Sequence, residues 1–458
     1  MNDHRKHPPR RAMMPGTRRL LYTAGLLVAL CAAGAAGYVP LVFDSSSILY
    51  KFGAARLLLR SAQVAGVLAG FLVLFQGVLA ARFHFLDKIY GLLSLYRVHR
   101  GVGSGAAALA LVHPVLVLAS EDLGVYRLSL EEWPKGVGAL LLLSLVATVI
   151  LALGRRRLGI RFDRWWLIHR LGAPFLVGLL GLHVLSVEGV FARGPQRAGF
   201  AVLLAAYGVL WAGMRLRPLL LLRRPFRVSR VDPEVRDVWT LTLVPERRSL
   251  ETHLPGQFAF LRVRSKAVSG EEHPFTIASG PAENGRLRFT IRESGDWTRG
   301  VGRVEPGARA LVDGPYGRFT PAVHDPSGSR IFIAGGVGVT PFLSILRDMA
   351  HRRDPVRTTL LWSNRSVEET PCLEEVVRLE EALSGLRVVW FFTRRAPEGS
   401  ETSRLDRDAL EREVGETCRN GALVFLCGPP PMMEAVSRSL RDMGTPRRRI
   451  VTEAFQLS

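Results

Sequence analysis

The sequence predicts a multi-domain chain: a six-helix transmembrane bundle, then an antiparallel β-barrel, then an α/β domain with a parallel sheet. Three observations carry that expectation. Up to about Leu222 the chain is a series of apolar runs broken by short polar loops, and from Arg223 it reads as an ordinary soluble sequence. The stretch after Arg223 alternates short strand patterns with Gly, Pro and Asn turns. Beyond Ser329 strand and helix patterns alternate, as parallel sheets require. The expected domains are 1–222, 223–326 and 327–458.

At about 20 apolar residues per crossing, six spans are expected at 20–43, 61–81, 97–119, 136–153, 165–187 and 198–222. Their orientation follows from loop charge. Segments 82–100 and 154–164 are basic, whereas the opposite loop at 120–135 holds Glu121, Asp122, Glu131 and Glu132. Positive loops stay inside, so the N-terminus and, after an even number of crossings, the soluble half are both expected in the cytoplasm. Thr17-Arg18-Arg19 before an apolar run also has the look of a twin-Arg export signal. A first span of this length with a basic inner flank is better read as a membrane anchor.

The formal charge of +21 raises nucleic-acid binding. The excess instead collects beside apolar runs, at Arg5-Lys6, Arg10-Arg11, Arg18-Arg19, Arg155-Arg156-Arg157 and Arg223-Arg224, which is topology signalling. No nucleic-acid partner is expected. Cys31, Cys372, Cys418 and Cys427 lack the CxxC spacing of a zinc or iron–sulfur site, and three of them fall in a half suited to a reducing compartment.

Four histidines stand out in the spans. His99 and His113 lie on the third, His169 and His183 on the fifth, and each pair is separated by 14 residues. At about 100° per residue both members fall within roughly 40° on one helix face, about 21 Å apart along the axis. That fits two levels within a hydrocarbon core of about 30 Å. Both spans run inside to outside, so His99 meets the level of His169, and His113 that of His183. One intramembrane histidine is ordinarily a hydrogen-bonded packing residue; two identical separations on parallel spans predict two bis-histidine sites, each for a haem b. Gly101, Gly103, Gly105, Gly172, Gly178 and Gly181 are expected to ease close approach. Arg100 and Arg170 follow the inner ligands, either to meet haem propionates or as positive-inside flanks. His84, His253, His324 and His351 are expected to be ordinary surface or loop residues.

In the soluble half, strands are expected at 238–244, 258–263 and 287–291, then at 331–334 and 359–362, with a helix over 340–350. His273-Pro274-Phe275-Thr276-Ile277-Ala278-Ser279 begins another strand. Gly335-Gly336-Val337-Gly338-Val339-Thr340-Pro341 follows a strand and opens a helix, which lets a pyrophosphate approach the backbone at a positive helix end. After the next strand, Arg365 supplies a cation where NAD-selective sheets often place an acid. It is either a surface arginine or a sign of NADPH, with Arg394 and Arg395 as helpers.

Six spans with two histidine pairs, followed by these motifs in this order, resemble the ferric reductase and NADPH oxidase superfamily over nearly the whole chain. The resemblance implies an FAD barrel and an NAD(P)-binding domain. It implies that Phe275 packs near the isoalloxazine, that Thr276 hydrogen-bonds its redox edge, and that His273 and Pro274 contact its periphery. Arg292, Gly295, Trp297 and Thr298 resemble the segment that holds the FAD pyrophosphate. Cys427-Gly428-Pro429-Pro430 resembles the nicotinamide-side loop, where Cys427 either serves hydride transfer or is only a small buried residue. Phe455, in Glu453-Ala454-Phe455, would cover the flavin and move aside for nicotinamide. Thr276, Cys427 and Phe455 are thus the expected catalytic residues.

The implied activity is electron transfer from cytoplasmic NADPH, with NADH possible, through FAD and two haem b groups to an acceptor outside the inner (plasma) membrane. With the cytoplasm negative, each outward electron gains about 2.3 kcal/mol per 100 mV. The expected acceptor is a small molecule or metal complex, a ferric complex first; the alternatives are oxygen, giving superoxide, or an extracytoplasmic protein partner. Oxygen-reducing relatives often place a further histidine one turn beyond the outer ligand, where this chain has Val117.

Overall fold

The computed structural model describes residues 13–43, 53–120, 132–187, 189–191, 194–221, 225–246, 253–283, 285–324, 328–396 and 403–453. They divide into two compact units, one of Arg18–Arg217 and one of Pro218–Ser458 together with Met1–Thr17.

In the first unit, α1 (Pro15–Val42), α2 (Gly53–Ala80), α4 (Leu92–Ser120), α5 (Trp133–Gly154), α6 (Phe162–Ser186) and α7 (Gly194–Leu221) each contain a stretch long and apolar enough to cross a membrane. Large side chains such as Leu143, Val202 and Val209 point outward, which suits lipid rather than water. The chain is therefore a multi-pass membrane protein. A short helix, α3 (His84–Tyr90), precedes α4. The buried Asp87 carboxylate accepts from the Leu92 N–H at 2.8 Å and satisfies an orphan donor at the start of α4. α4 thus begins at Leu92, five residues before the expected start of the third span at 97, and carries Arg97 and Arg100 in its first turns. α4 packs along α2, and α6 along α5, but α4 and α6 do not pack along one another.

The second unit opens with a sheet of six antiparallel strands: β1 (Phe226–Val235), β2 (Val238–Pro245), β3 (Phe258–Arg264), β4 (His273–Thr276), β5 (Leu287–Arg292) and β6 (Arg309–Tyr316). Their order is β4-β3-β6-β1-β2-β5. The two outer strands meet just past β4, where Ala278 N–H donates to the Arg288 carbonyl at 2.8 Å and Arg288 N–H to Ser279 Oγ at 3.2 Å. That contact closes the expected barrel. Alternating inward residues, Leu241, Leu243, Leu261, Val263, Phe289 and Ile291, fill its core.

A parallel sheet follows, built from β7 (Arg330–Gly335), β8 (Thr358–Asn364), β9 (Leu386–Phe392), β10 (Leu423–Cys427) and β11 (Ile450–Glu453), in the order β11-β10-β7-β8-β9. All of β7 and β10 is buried, as expected of central strands covered on both faces. The covering helices are α10 (Thr340–Arg352), α11 (Leu373–Ala382), α12 (Arg407–Arg419) and α13 (Pro430–Asp442). Two short helices, α8 (Asp296–Arg299) and α9 (Pro321–His324), lie between β5 and β7.

Arg347 of α10 ties barrel to sheet. Its guanidinium pairs with both oxygens of Glu375 at 2.7 and 2.6 Å and donates to the Ala278 carbonyl. Ser344 Oγ donates to the neighbouring Ser279 carbonyl at 2.8 Å.

Candidate functional site

The four predicted histidines come together in two pairs. The His99 and His169 rings are 6.0 Å apart between centroids and inclined at 76°; those of His113 and His183 are 6.4 Å apart at 78°. Two imidazoles bound to one metal at about 2 Å each have centroids about 6 Å apart, so both pairs fit the donor set and spacing of a bis-histidine haem. The sparse main-chain contact between α4 and α6 fits too, since a haem held between them would need helices that do not interlock.

His113 Nδ1 lies 2.8 Å from the Ala62 carbonyl on α2, and His183 Nδ1 lies 3.0 Å from the Pro134 carbonyl on α5. A carbonyl only accepts, so Nδ1 carries the proton and Nε2 is left as the ligating nitrogen. The other pair differs. His169 Nδ1 makes no hydrogen bond, and its ring stacks on Trp165 at 5.3 Å. His99 Nδ1 faces the Gln76 main chain without reaching hydrogen-bond geometry.

The predicted glycines divide. A methyl group at Gly101, Gly105, Gly172 or Gly178 would meet open space, but at Gly103 it would touch Gln76 at 3.5 Å and at Gly181 it would press on Leu204 at 3.0 Å. Gly181 therefore serves the packing of α6 against α7, whereas a methyl at Gly103 would make only ordinary contact. The Arg170 guanidinium sits over Trp166 at 4.5 Å.

In the barrel, β4 pairs with β3 so that Thr276 lies opposite Phe258. Thr276 Oγ1 is buried without a protein partner, the orphaned hydroxyl expected where a cofactor supplies the missing bond. Phe275 and His273 pack against Trp297 at 5.4 and 4.9 Å. Trp297 is itself sunk in the barrel core, with its indole N–H on the Ser269 carbonyl at 3.0 Å. His273 Nε2 lies 3.3 Å from Glu271, while burial lowers its pKa. Thr298 Oγ1 accepts from the N–H groups of Ser294 and Gly295 at 2.8 Å each. Its hydroxyl is thus spent on the turn. Arg292 keeps its role open, with Nη1 3.7 Å from where a side chain on Gly336 would begin.

The two glycine loops meet backbone to backbone. A methyl at Gly338 would collide with the Cys427 carbonyl, and one at Gly428 would stand 3.1 Å from Gly335 N. At Gly335 it would meet Pro429 and Met432 at 2.7 Å, and Gly336 adopts φ +53°, which favours glycine. Thr340 and Pro341 open α10 immediately beyond. Cys427 is fully buried at the end of β10, paired across to Glu453. Burial, with Glu453 beside it, holds the thiol well above its usual pKa, so it remains protonated. At the same sheet edge the Arg365 carbonyl accepts from the N–H groups of Arg394 and Arg395 at 2.9 and 3.1 Å, bringing the three arginines together. Phe455 lies outside the described residues.

One expectation is overturned. His253 is no surface residue: it is buried, with Nε2 donating to the Ser279 carbonyl at 3.0 Å. Burial lowers its pKa from 6.5 to about 4. The neutral ring therefore contributes stability above pH 6.5 that is lost as pH falls toward 4, on the order of 3 kcal/mol. Replacing His253 with Gln should flatten the loss of thermal stability of the soluble unit between those pH values; an unchanged slope would contradict this placement.

Three family models match in succession: the ferric reductase like transmembrane component over residues 65–180, an FAD-binding domain over 226–320 and an oxidoreductase NAD-binding domain over 332–438. Among curated proteins, the chain is 27% identical over 243 residues to the propane 2-monooxygenase reductase component of Rhodococcus jostii, covering 50% of this chain and 62% of that protein. It is 26% identical over 276 residues to a flavohemoprotein of Bordetella pertussis, covering 57% and 65%. The chain thus spans less than two thirds of the length of these relatives. A solved Amycolatopsis cytochrome P450 reductase, GcoB, aligns with 51% of this chain and 70% of its own at 25% identity, with a TM-score of 0.45. With a transmembrane component, an FAD-binding domain and an NAD-binding domain in this order, the chain has the domain architecture of the ferric reductase and NADPH oxidase-like flavocytochromes.

Proposed function

We propose that the chain is an oxidoreductase of the inner (plasma) membrane that takes electrons from cytoplasmic NADPH and delivers them to an extracytoplasmic ferric complex, using FAD and two b-type haems. The observation that carries this reading is the pair of imidazole couples, 6.0 and 6.4 Å apart, on two helices that do not pack along each other. The basic run Arg155-Arg156-Arg157 supports a cytoplasmic position for the His99 and His169 level.

When bound, the flavin supplies the change from two-electron to one-electron chemistry, and the haems carry single electrons. The chain's own residues prepare the sites. Thr276 offers an unspent hydroxyl, and Arg292 a cation beside the glycine turn. Gly336 and Gly338 let a dinucleotide backbone approach the chain, and the protonated Cys427 presents no competing negative charge. His99, His113, His169 and His183 would ligate iron.

Arg365, with Arg394 and Arg395 beside it, supports NADPH over NADH. Changing Arg365 to Ala should raise KM for NADPH about tenfold, or about 1.4 kcal/mol, and leave that for NADH nearly unchanged. Equal effects on both nucleotides would contradict the assignment.

The function is tested by supplying NADPH to the purified full chain. Haem reduction followed by rapid reduction of a ferric chelate, with little superoxide, supports the proposal. Superoxide as the main product would favour an oxidase, and turnover only after adding an extracytoplasmic protein would favour a cytochrome subunit.

A further inference from the structure

Two glycines that belong to none of the predicted motifs lie against the His113 and His183 rings. A methyl group on Gly66 of α2 would stand 2.8 Å from His113 Nδ1 and 3.1 Å from Cε1. One on Gly138 of α5 would stand 2.6 Å from His183 Cε1 and 2.9 Å from Nδ1. These distances are shorter than side chains tolerate, so each ring rests on bare helix backbone.

The second observation is where each ring ends. His113 Nδ1 reaches the carbonyl of Ala62, four residues before Gly66, and His183 Nδ1 that of Pro134, four residues before Gly138. In a helix the carbonyl of residue i points toward residue i+4 and bonds its N–H. The oxygen's second lone pair is accessible only if the side chain at i+4 is out of the way. The same device occurs on two different helices, α2 and α5, once for each ligand of one pair. The His99 and His169 pair lacks the complete device: Nδ1 of neither ring forms a hydrogen bond within geometry, and where His99 faces the Gln76 main chain of α2 the residue four further on is Ala80, not glycine.

We propose that Gly66 and Gly138 are positioning residues for one haem site only. They seat His113 and His183 so that a main-chain carbonyl fixes the proton on Nδ1 and turns Nε2 to the metal. The inference rests on the haem reading above. A hydrogen bond from Nδ1–H to a carbonyl raises the basicity of the imidazole, which stabilises ferric over ferrous iron. The His113/His183 haem is therefore the lower in potential for its ligation and the stronger reductant toward an acceptor. It is also the more rigidly ligated of the two.

The test uses the purified full chain carrying Gly66→Ala or Gly138→Ala, with Gly208→Ala as control, because a methyl at Gly208 of α7 meets nothing within 4 Å. Haem and FAD content, the potentiometric titration of the haem band and the low-spin EPR spectrum are recorded for each. Either variant should lose one haem of two, or keep both with one potential moved upward and one EPR signal altered, while the second haem and the FAD content stay as in the unmodified chain. Two haems with unchanged potentials and spectra in both variants, or the same changes in Gly208→Ala, would overturn the proposal. If neither variant assembles, pulsed EPR of the remote imidazole nitrogens in the unmodified chain decides. Strongly hydrogen-bonded Nδ1 nuclei at one haem and weakly bonded ones at the other are expected, and identical couplings at both would overturn it. An unmodified chain without haem would refute the haem reading itself, which is a distinct outcome.

Discussion

Replacing His113 or His183 with alanine should remove one of two haems and stop electron delivery to the acceptor, while NADPH still reduces the FAD. Each ring is one half of a 6.4 Å couple, and removing it would leave a bound haem with one imidazole in place of the two that the pair offers. Replacing His99 or His169, whose rings form the 6.0 Å couple, should instead keep electrons from leaving the flavin for either haem. Stopped-flow spectra at the flavin and haem bands separate the two cases. Acceptor reduction at the unmodified rate without the His113/His183 haem would show that electrons do not pass through the two sites in order.

Gly338→Ala is the second substitution with a large expected effect. Its new methyl would be driven into the Cys427 carbonyl and within 3.0 Å of Gly428 Cα. Those are main-chain atoms of a buried loop and cannot swing aside as a side chain tip would. The turn after β7 and the loop after β10 must separate, distorting the surface proposed above to cradle a dinucleotide. The expected result is at least a tenfold fall in kcat/KM for NADPH and a loss of about 1–3 kcal/mol of stability in the soluble unit. FAD content and haem content should be retained, because neither site contains Gly338. A fully active variant would mean that the two loops are not in contact.

The large features were legible because they are periodic. Apolar runs of span length identified the helices, and a separation repeated on two of them singled out the four histidines whose rings the fold brings into two pairs. Short alternating strands between turns pointed to the barrel, and the alternation of strand with helix pointed to the parallel sheet. What was not legible depends on the register between elements. Nothing near Gly66 or Gly138 in sequence announces that a histidine 47 or 45 residues later will rest on it. Their role arises only from how α2 lies on α4 and α5 on α6. His253 was misread because a histidine in an irregular segment carries no pattern that distinguishes burial from exposure. Thr298 carries the hydroxyl that a phosphate site would use, yet the chain spends it on the preceding turn. The start of α4 depended on Asp87, whose capping bond spans five residues and has no sequence signature of its own.

The most direct measurement is a reduced-minus-oxidised difference spectrum of the purified full chain, taken with extracted haem and FAD quantified on the same sample. Two b-type haems per FAD, both reduced on adding NADPH, are predicted from the paired imidazoles on α4 and α6. A protein that holds FAD and oxidises NADPH but shows no b-type haem band would contradict the assignment of His99, His113, His169 and His183.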